Sequence, residues 1–164
     1  MLFYTPEFLW FSLTVLALLS VLHRNTPRKV VLLIASYVFY MWWNPIFILL
    51  IVFSTAVDFV LGRRIEESGS PRRRKLLLVL SLISNLGLLG WFKYAGFFQE
   101  NLLYLSRLLG FEPHWTTLEI TLPVGISFYT FQSMSYTIDV YRGKIEPERH
   151  FGMFAVYVSF FPQL

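Results

Sequence analysis

The sequence predicts an all-α membrane protein: a polytopic transmembrane bundle of about five to six hydrophobic helices plus one interfacial amphipathic helix. Of its 164 residues, 55% are hydrophobic and only 15% are charged, whereas an ordinary soluble domain carries roughly 25% charged residues. The apolar residues form long runs separated by short basic segments, and about 20 apolar residues are enough for one helix to cross a bilayer. The composition therefore excludes a soluble domain.

Charge and cysteine content exclude several classes of site. The chain contains no cysteine, which rules out disulfides and thiolate metal sites. The net charge of +4 comes from basic runs between apolar segments, where anionic lipid headgroups are the expected partner and nucleic acid is not. The three histidines, His23, His114 and His150, lack metal-ligand spacing, so neither a metal nor a cofactor is expected.

The first apolar run, Phe8 to Leu22, predicts a retained helix that the apolar residues 1–6 extend. Its flanks differ from those of a signal peptide, because an acidic residue precedes the run and basic residues follow it. The positive-inside tendency then predicts a multi-pass protein of the inner (cytoplasmic) membrane with its N-terminus outside. The basic side chains that follow this run are His23, Arg24, Arg28 and Lys29.

A second apolar stretch, Val30 to Val57, is interrupted by Asn44-Pro45. A single helix of this length would measure roughly 42 Å, which exceeds a hydrocarbon core of about 30 Å. A single crossing would also place the basic residues of 63–75 on the opposite side of the membrane from those of 24–29, against the positive-inside tendency. We therefore predict two helices, roughly 30–43 and 45–62, with Pro45 at the first position of the second, in a hairpin that is partly re-entrant.

The remaining segments alternate between apolar runs and polar connections. Each apolar run predicts a helix, and the last of them is interrupted by the end of the sequence, so the bundle is expected to be incomplete at the C-terminus. The segments are a polar turn at Glu66 to Pro71, a span at Leu76 to Phe98, an amphipathic interfacial helix at Gln99 to Leu109, a loop at Gly110 to Thr121, a helix at Leu122 to Tyr141 and the start of a helix at Phe151 to Leu164.

The helix predicted at Leu122 to Tyr141 is unusually polar. On a helical wheel only a narrow arc of Phe131, Met134 and Ile138, with Phe128 at its edge, suits contact with lipid. Polar groups left unsatisfied in hydrocarbon cost several kcal/mol each, so the polar arc is expected to face protein or a watered cavity. Two interpretations stay open, because small hydroxyl residues commonly join helices and could equally line a tunnel.

Two carboxylates lie near predicted helix ends beside arginines. The expected arrangement is an ion pair of Asp58 with Arg63 or Arg64 and another of Asp139 with Arg142. A role in proton relay is the alternative, since carboxylates inside a membrane are often functional. Ser127 is not expected to be a nucleophile, because the sequence around it lacks the second glycine of a nucleophile elbow.

Several segments along the chain have a distinctive order of aromatic and polar residues. They are Ala35-Ser-Tyr-Val-Phe-Tyr-Met-Trp-Trp43, Trp91-Phe-Lys-Tyr-Ala95, Leu122-Pro-Val-Gly-Ile-Ser-Phe-Tyr-Thr-Phe-Gln132, Ile138-Asp-Val-Tyr-Arg-Gly143 and Phe160-Phe-Pro-Gln163. In register along the whole chain, these segments resemble the N-terminal part of bacterial membrane-bound O-acyltransferases of the alginate O-acetyltransferase type.

The resemblance implies that residues 1–164 are the N-terminal portion of a single membrane-embedded O-acyltransferase domain. Such an enzyme moves an acyl group, commonly acetyl, from a donor on the cytoplasmic side to a hydroxyl of an extracytoplasmic glycan. The histidine regarded as catalytic lies much later in family members. No catalytic residue is therefore assigned, and this segment is expected to be inactive without the missing C-terminal part.

If the chain has the architecture that the resemblance implies, the polar helix at Leu122 to Tyr141 is expected to form part of the wall of a substrate tunnel. The candidate tunnel-lining residues are Gln132, Ser133, Tyr136 and Asp139. The alternative from another class is a complete small membrane transporter or scaffold subunit, in which the polar helix packs against a partner chain.

Overall fold

The structure is a computed structural model that describes residues 4–42, 44–110 and 125–161. Within these ranges the secondary structure is helical and contains no β-strand, which confirms the all-α class. The helices are α1 (Pro6–Val21), α2 (Asn25–Met41), α3 (Phe47–Glu67), α4 (Pro71–Leu108), α5 (Ile126–Tyr141) and α6 (Phe151–Ser159).

The first helix lies where the sequence predicts it and is capped at both ends. Thr5 is the N-cap, its hydroxyl accepts a hydrogen bond from the backbone amide three residues on, and Pro6 occupies the first turn. At the other end, Arg28 of α2 donates from Nε to the carbonyl of Leu22 at 2.6 Å and to that of Leu19 at 3.3 Å. An arginine that satisfies the last carbonyls of α1 ties α1 and α2 together at this end.

The predicted break at Asn44-Pro45 is confirmed, but the second helix begins later than predicted. The side-chain oxygen of Asn44 accepts a hydrogen bond from the amide of Ile46 at 3.0 Å, which closes a turn at the proline. Helix α3 starts only at Phe47. Pro45 therefore belongs to the turn, and its predicted place at the first position of the helix is wrong.

Helix α4 corrects the prediction of a separate interfacial helix at Gln99 to Leu109. It continues without interruption over 38 residues, a length of about 57 Å. Residues 99–109 contain no proline that would end the helix. The side-chain amide of Asn101 donates to the carbonyl of Phe97, one turn earlier, at 2.7 Å. Among the described helices, α4 alone has both the length and the apolar composition to cross a bilayer, and α1 is apolar but shorter.

The last two helices begin and end at defined turns. Gly125 precedes α5 with a φ of 73°, a backbone conformation that favours glycine and explains this residue of the Leu-Pro-Val-Gly segment. Helix α6 starts at Phe151, as predicted, and ends at Ser159. The predicted loop at Gly110 to Thr121 lies almost wholly outside the described residues, as do residues 122–124 and 162–164.

The three basic segments of the chain, residues 23–29, 63–75 and 142–150, meet at one end of the bundle. Arg74 of the second segment donates to the carbonyl of Tyr141, next to the third segment, at 2.8 Å. Lys29 of the first segment lines the same groove as His150 of the third. The contacts therefore bring the three segments together.

Many large apolar side chains of the described helices are exposed, whereas several uncharged polar side chains and Asp58 are buried between helices. Leu76, Ile83 and Trp91 of α4 are 57%, 63% and 60% exposed, whereas Asp58 is 0% and Asn85 is 1% exposed. A lipid-facing protein has this distribution, because hydrocarbon cannot satisfy polar groups.

Two groups of buried side chains pack the helices. One joins α3, α4, α5 and α6 through residues such as Ile51, Ile65 and Phe154. The other, here called the aromatic cluster, joins α1, α2 and the residue Phe161 beyond α6. Its members are Phe8, Phe11, Val15, Ala35, Phe39 and Phe161.

Candidate functional site: a buried carboxylate where three helices meet

The carboxylate of Asp58 lies where α3, α4 and α5 meet. The hydroxyl of Ser81 donates to its Oδ1 at 2.5 Å, and the hydroxyl of Ser133 donates to its Oδ2. The Nδ2 of Asn85 lies 3.0 Å from Oδ1 and 2.8 Å from Oδ2. We call Asp58, Ser81, Asn85 and Ser133 the polar junction.

The spacing of these residues along each helix produces the polar junction. Ser81 and Asn85 lie one turn apart on α4, and so do Ser133 and Thr137 on α5, so each pair occupies one face of its helix. All of these side chains are fully buried. Because a buried polar group without a partner is costly, the polar faces of α4 and α5 are stable only when they turn toward the carboxylate.

The structure corrects the predicted ion pair of Asp58 with arginine. Arg63 faces Glu67 at 3.9 Å on the exposed side of α3. The physical reason is helix geometry, since five residues along a helix rotate the side chain by about 140° to another face. Asp58 therefore points inward while Arg63 points outward. A proton-relay role for Asp58 stays a prediction.

The predicted ion pair of Asp139 with Arg142 is also wrong. Within the described residues, Asp139 pairs with Lys144, with 3.7 Å between Oδ1 and Nζ. Gly143 has a φ of 70°, and the amide of Lys144 donates back to the Asp139 carbonyl at 3.0 Å. This helix-ending turn brings Lys144 next to Asp139.

Three of the four candidate tunnel residues, Gln132, Tyr136 and Asp139, share one face of α5, and Ser133 lies on the adjacent face. Ser133 joins the polar junction, and Gln132 instead donates from Nε2 to the carbonyl of Tyr157 on α6 at 2.8 Å. The hydroxyl of Tyr136 accepts from the amide of Glu148 at 2.9 Å, and Asp139 lies at the basic end. The structure does not bring the four together at one point, and their tunnel-lining role stays a prediction.

The wheel pattern predicted for α5 agrees with the burial of its side chains. Phe128 and Phe131 are exposed, and Thr130, Ser133 and Thr137 are buried. The agreement is partial. Met134 and Ile138 of the predicted lipid-facing arc are only partly exposed, and Ser135 of the predicted polar arc is exposed.

Some buried polar atoms of the bundle have no hydrogen-bond partner within the described ranges. The side-chain oxygens of Asn85 and Gln132 and the hydroxyls of Tyr40 and Thr55 are in this state. Buried polar atoms are rarely left unpaired in native proteins. Water or further protein could therefore form hydrogen bonds with these atoms.

Comparison with known proteins gives relatives along the whole chain. A probable alginate O-acetylase of Pseudomonas aeruginosa is 41% identical over 165 residues, which cover 100% of this chain and 32% of that protein. A probable alginate O-acetylase of Azotobacter vinelandii is 39% identical over 165 residues, 100% of this chain and 33% of that protein. A peptidoglycan O-acetyltransferase of Helicobacter pylori is 32% identical over 160 residues, 83% of this chain and 29% of that protein.

Along its whole length the chain is similar to proteins of the membrane-bound O-acyltransferase type, which its relatives at 32–41% identity are. It spans about a third of the length of these curated relatives. No family profile matches it, and no solved structure matches it significantly. The resemblance predicted from the sequence segments is confirmed.

Sequence reasoning missed the two residues that α4 contributes to the polar junction. The signal was present, because Ser81 and Asn85 lie four positions apart in a run that is mostly apolar. The span at Leu76 to Phe98 was predicted from its apolar composition, and composition does not show which way the polar face of a helix turns. The histidines form no metal cluster among the described residues, and His114 lies outside them.

Proposed function

We propose that this chain is the N-terminal part of a membrane O-acetyltransferase that transfers an acetyl group to hydroxyls of an extracytoplasmic polysaccharide. The observation that carries the proposal is the relationship, at 32–41% identity, to proteins named as O-acetylases of alginate and of peptidoglycan. The acetyl donor would reach the enzyme from the cytoplasmic side, and the glycan acceptor from the other.

The chemistry sets what the bundle must supply. Acyl transfer to an alcohol needs a base near the acceptor hydroxyl and donors for the developing oxyanion. In the proposed enzyme, α5 is part of the wall along which substrates approach the reacting centre. The polar junction supports this role, because its hydrogen bonds to Asp58 hold α5 against α3 and α4. The unpaired oxygen of Gln132 is available to a group on the other side of α5.

The test is genetic complementation. The complete protein would be expressed in an alginate-producing strain that lacks its own O-acetylase, and ester-linked acetate on the exported polymer would be measured. Restored acetylation supports the proposal. A well-inserted protein that restores no acetylation of alginate or of peptidoglycan would contradict it.

We also propose that residues 1–164 alone insert into the membrane but transfer no acetyl group. Support comes from the relatives, which are about three times longer, and from the unpaired polar atoms inside the bundle. The same strain would express the segment alone, and the segment together with the rest of the protein as a second chain. Acetylation by the segment alone would refute this part and would return attention to His114 and His150 as bases.

The proposed topology is polytopic, with the N-terminus outside and the basic end of the bundle in the cytoplasm of the inner membrane. The clustering of the three basic segments at one end supports it. Single cysteines at Ser70 and Thr116, in a protein otherwise free of cysteine over these residues, can be probed with an impermeant thiol reagent in intact cells. Labelling is expected at Thr116 only, and labelling at Ser70 only would overturn the topology.

A further inference from the structure

A groove opens between the start of α2 and the start of α6, at the basic end of the bundle. Its volume is about 390 Å³. Thr26 and Lys29 of α2 and His150 before α6 line it with polar groups, and Val30 and Met153 are among its apolar lining residues.

The groove has a polar part and an apolar part in a fixed order. Thr26, Lys29, Val30 and Leu33 follow the spacing of one helical face, so their side chains succeed one another along α2. The first two are polar and the last two apolar, over a rise of about 10 Å. A molecule that fits this order has a polar head at the end of the bundle and an apolar chain that runs toward its middle.

The charge around the groove selects an anionic head. The flanking segments, residues 24–30 and 148–153, contain four basic side chains and one acidic side chain, that of Glu148. The Glu148 carboxylate accepts hydrogen bonds from the amides of Arg149 and His150 at 2.8 and 2.9 Å. Lys29 forms no ion pair with any residue in the described ranges. The basic side chains are Arg24, Arg28, Lys29 and Arg149.

We propose that this groove binds an anionic phospholipid, with its phosphate at Lys29 and His150 and an acyl chain along Val30, Leu33 and Met153. The ammonium and imidazole groups donate hydrogen bonds to phosphate oxygens. The apolar wall gains contact with the chain. The site is separate from the proposed acyl transfer, and the lipid is bound intact.

One glycine allows a clean test of the groove. Gly152 belongs to its lining, and a side chain added there would meet open space. Gly152→Leu therefore fills the groove with no clash inside the protein. Gly87 on α4 also faces open space, so Gly87→Leu is the control with the same change in side-chain size.

The experiment uses the complete protein, purified, delipidated and placed in neutral detergent. Binding of phosphatidylglycerol, phosphatidylcholine and inorganic phosphate would be measured by native mass spectrometry and by lipid titration. Phosphatidylglycerol is expected to bind more tightly than phosphatidylcholine, and phosphate alone is expected not to bind. Lys29→Gln should weaken phosphatidylglycerol binding about five-fold, the usual effect of one basic side chain on an anionic lipid.

Gly152→Leu should abolish this binding, and Gly87→Leu should leave it at the level of the natural protein. Circular dichroism and gel filtration would verify that the variants stay folded, and Lys29→Gln keeps the proposal testable if Gly152→Leu does not. Equal affinity for the two lipids would overturn the proposal. So would binding of phosphate alone, or phosphatidylglycerol affinity that Lys29→Gln and Gly152→Leu leave unchanged.

Discussion

The polar junction and the aromatic cluster are both buried, but different forces hold them. In the polar junction, hydroxyl and amide groups of α4 and α5 donate to the single carboxylate of Asp58. In the aromatic cluster, the ring of Phe161 packs at centroid distances of 5.3 Å from Phe11 and 5.8 Å from Phe39. One region depends on directed hydrogen bonds, and the other on ring contacts.

In the proposed membrane setting, this difference determines which contacts select the arrangement of the helices. An aromatic ring that leaves a partner helix finds lipid tails that are nearly as favourable, so apolar packing alone selects an arrangement weakly. A carboxylate that leaves its donors finds no partner in hydrocarbon. The polar junction is therefore expected to determine which helix faces meet, and the aromatic cluster to fill the space between helices already placed.

The largest effect should follow from Asp58→Leu. The substitution removes the shared acceptor. It leaves the hydroxyls of Ser81 and Ser133 buried without this partner, and Asn85 keeps only its bond to the Ser81 carbonyl, at 3.0 Å. We expect a loss of about 3 kcal/mol in the free energy of unfolding, from several interhelical hydrogen bonds and the desolvation of the remaining groups. Equilibrium unfolding of the complete protein in mixed micelles, titrated with dodecyl sulfate, would measure it. A loss below that of Phe161→Leu would break the comparison.

A smaller effect is expected where α3 and α5 approach each other beside the polar junction. A Cβ added at Gly62 would lie 3.1 Å from Cε1 of Tyr136. Gly62→Ala should destabilise the protein by about 1 to 2 kcal/mol, because the ring must move in a packed site. The matched control is Gly87→Ala, which meets open space and should be neutral or stabilising, as alanine is the better helix former. Equal results for the two glycines would show that the contact does not constrain the helices.

In the aromatic cluster, Phe161→Leu should cost about 1 kcal/mol, the usual value of an aromatic pair beyond its burial. The hydrogen bond from the Phe161 amide to the hydroxyl of Ser36, at 3.3 Å, involves only the backbone of residue 161. The same dodecyl sulfate titration applies. A loss as large as that of Asp58→Leu would mean that ring packing selects the arrangement after all.

The smallest effect compares the two faces of α5. Gln132→Leu removes one hydrogen bond to the Tyr157 carbonyl and should cost about 0.6 kcal/mol, the average for such bonds within membranes. Phe131→Leu, on the exposed face, should change stability by less. Acetylation by the complete protein should follow the same order, and identical behaviour of the two variants would contradict the assignment of faces.

Much of the architecture could be predicted from local properties of the chain. The long apolar runs predicted the all-α class, Asn44-Pro45 predicted the break between α2 and α3, and the wheel pattern predicted most of the buried face of α5. The structure confirms these three features. They depend on the period of a helix and on the chemistry of neighbouring residues, and both can be read from the order of amino acids.

The partner of each polar group was decided by the tertiary structure. The sequence places arginines near Asp58 and near Asp139, yet Asp58 binds Ser81 and Ser133, and Asp139 pairs with Lys144. Proximity along the chain does not determine which faces of two helices lie opposite each other. In hydrocarbon the cost of an unpaired polar group determines it, and that cost depends on every helix in the bundle at once.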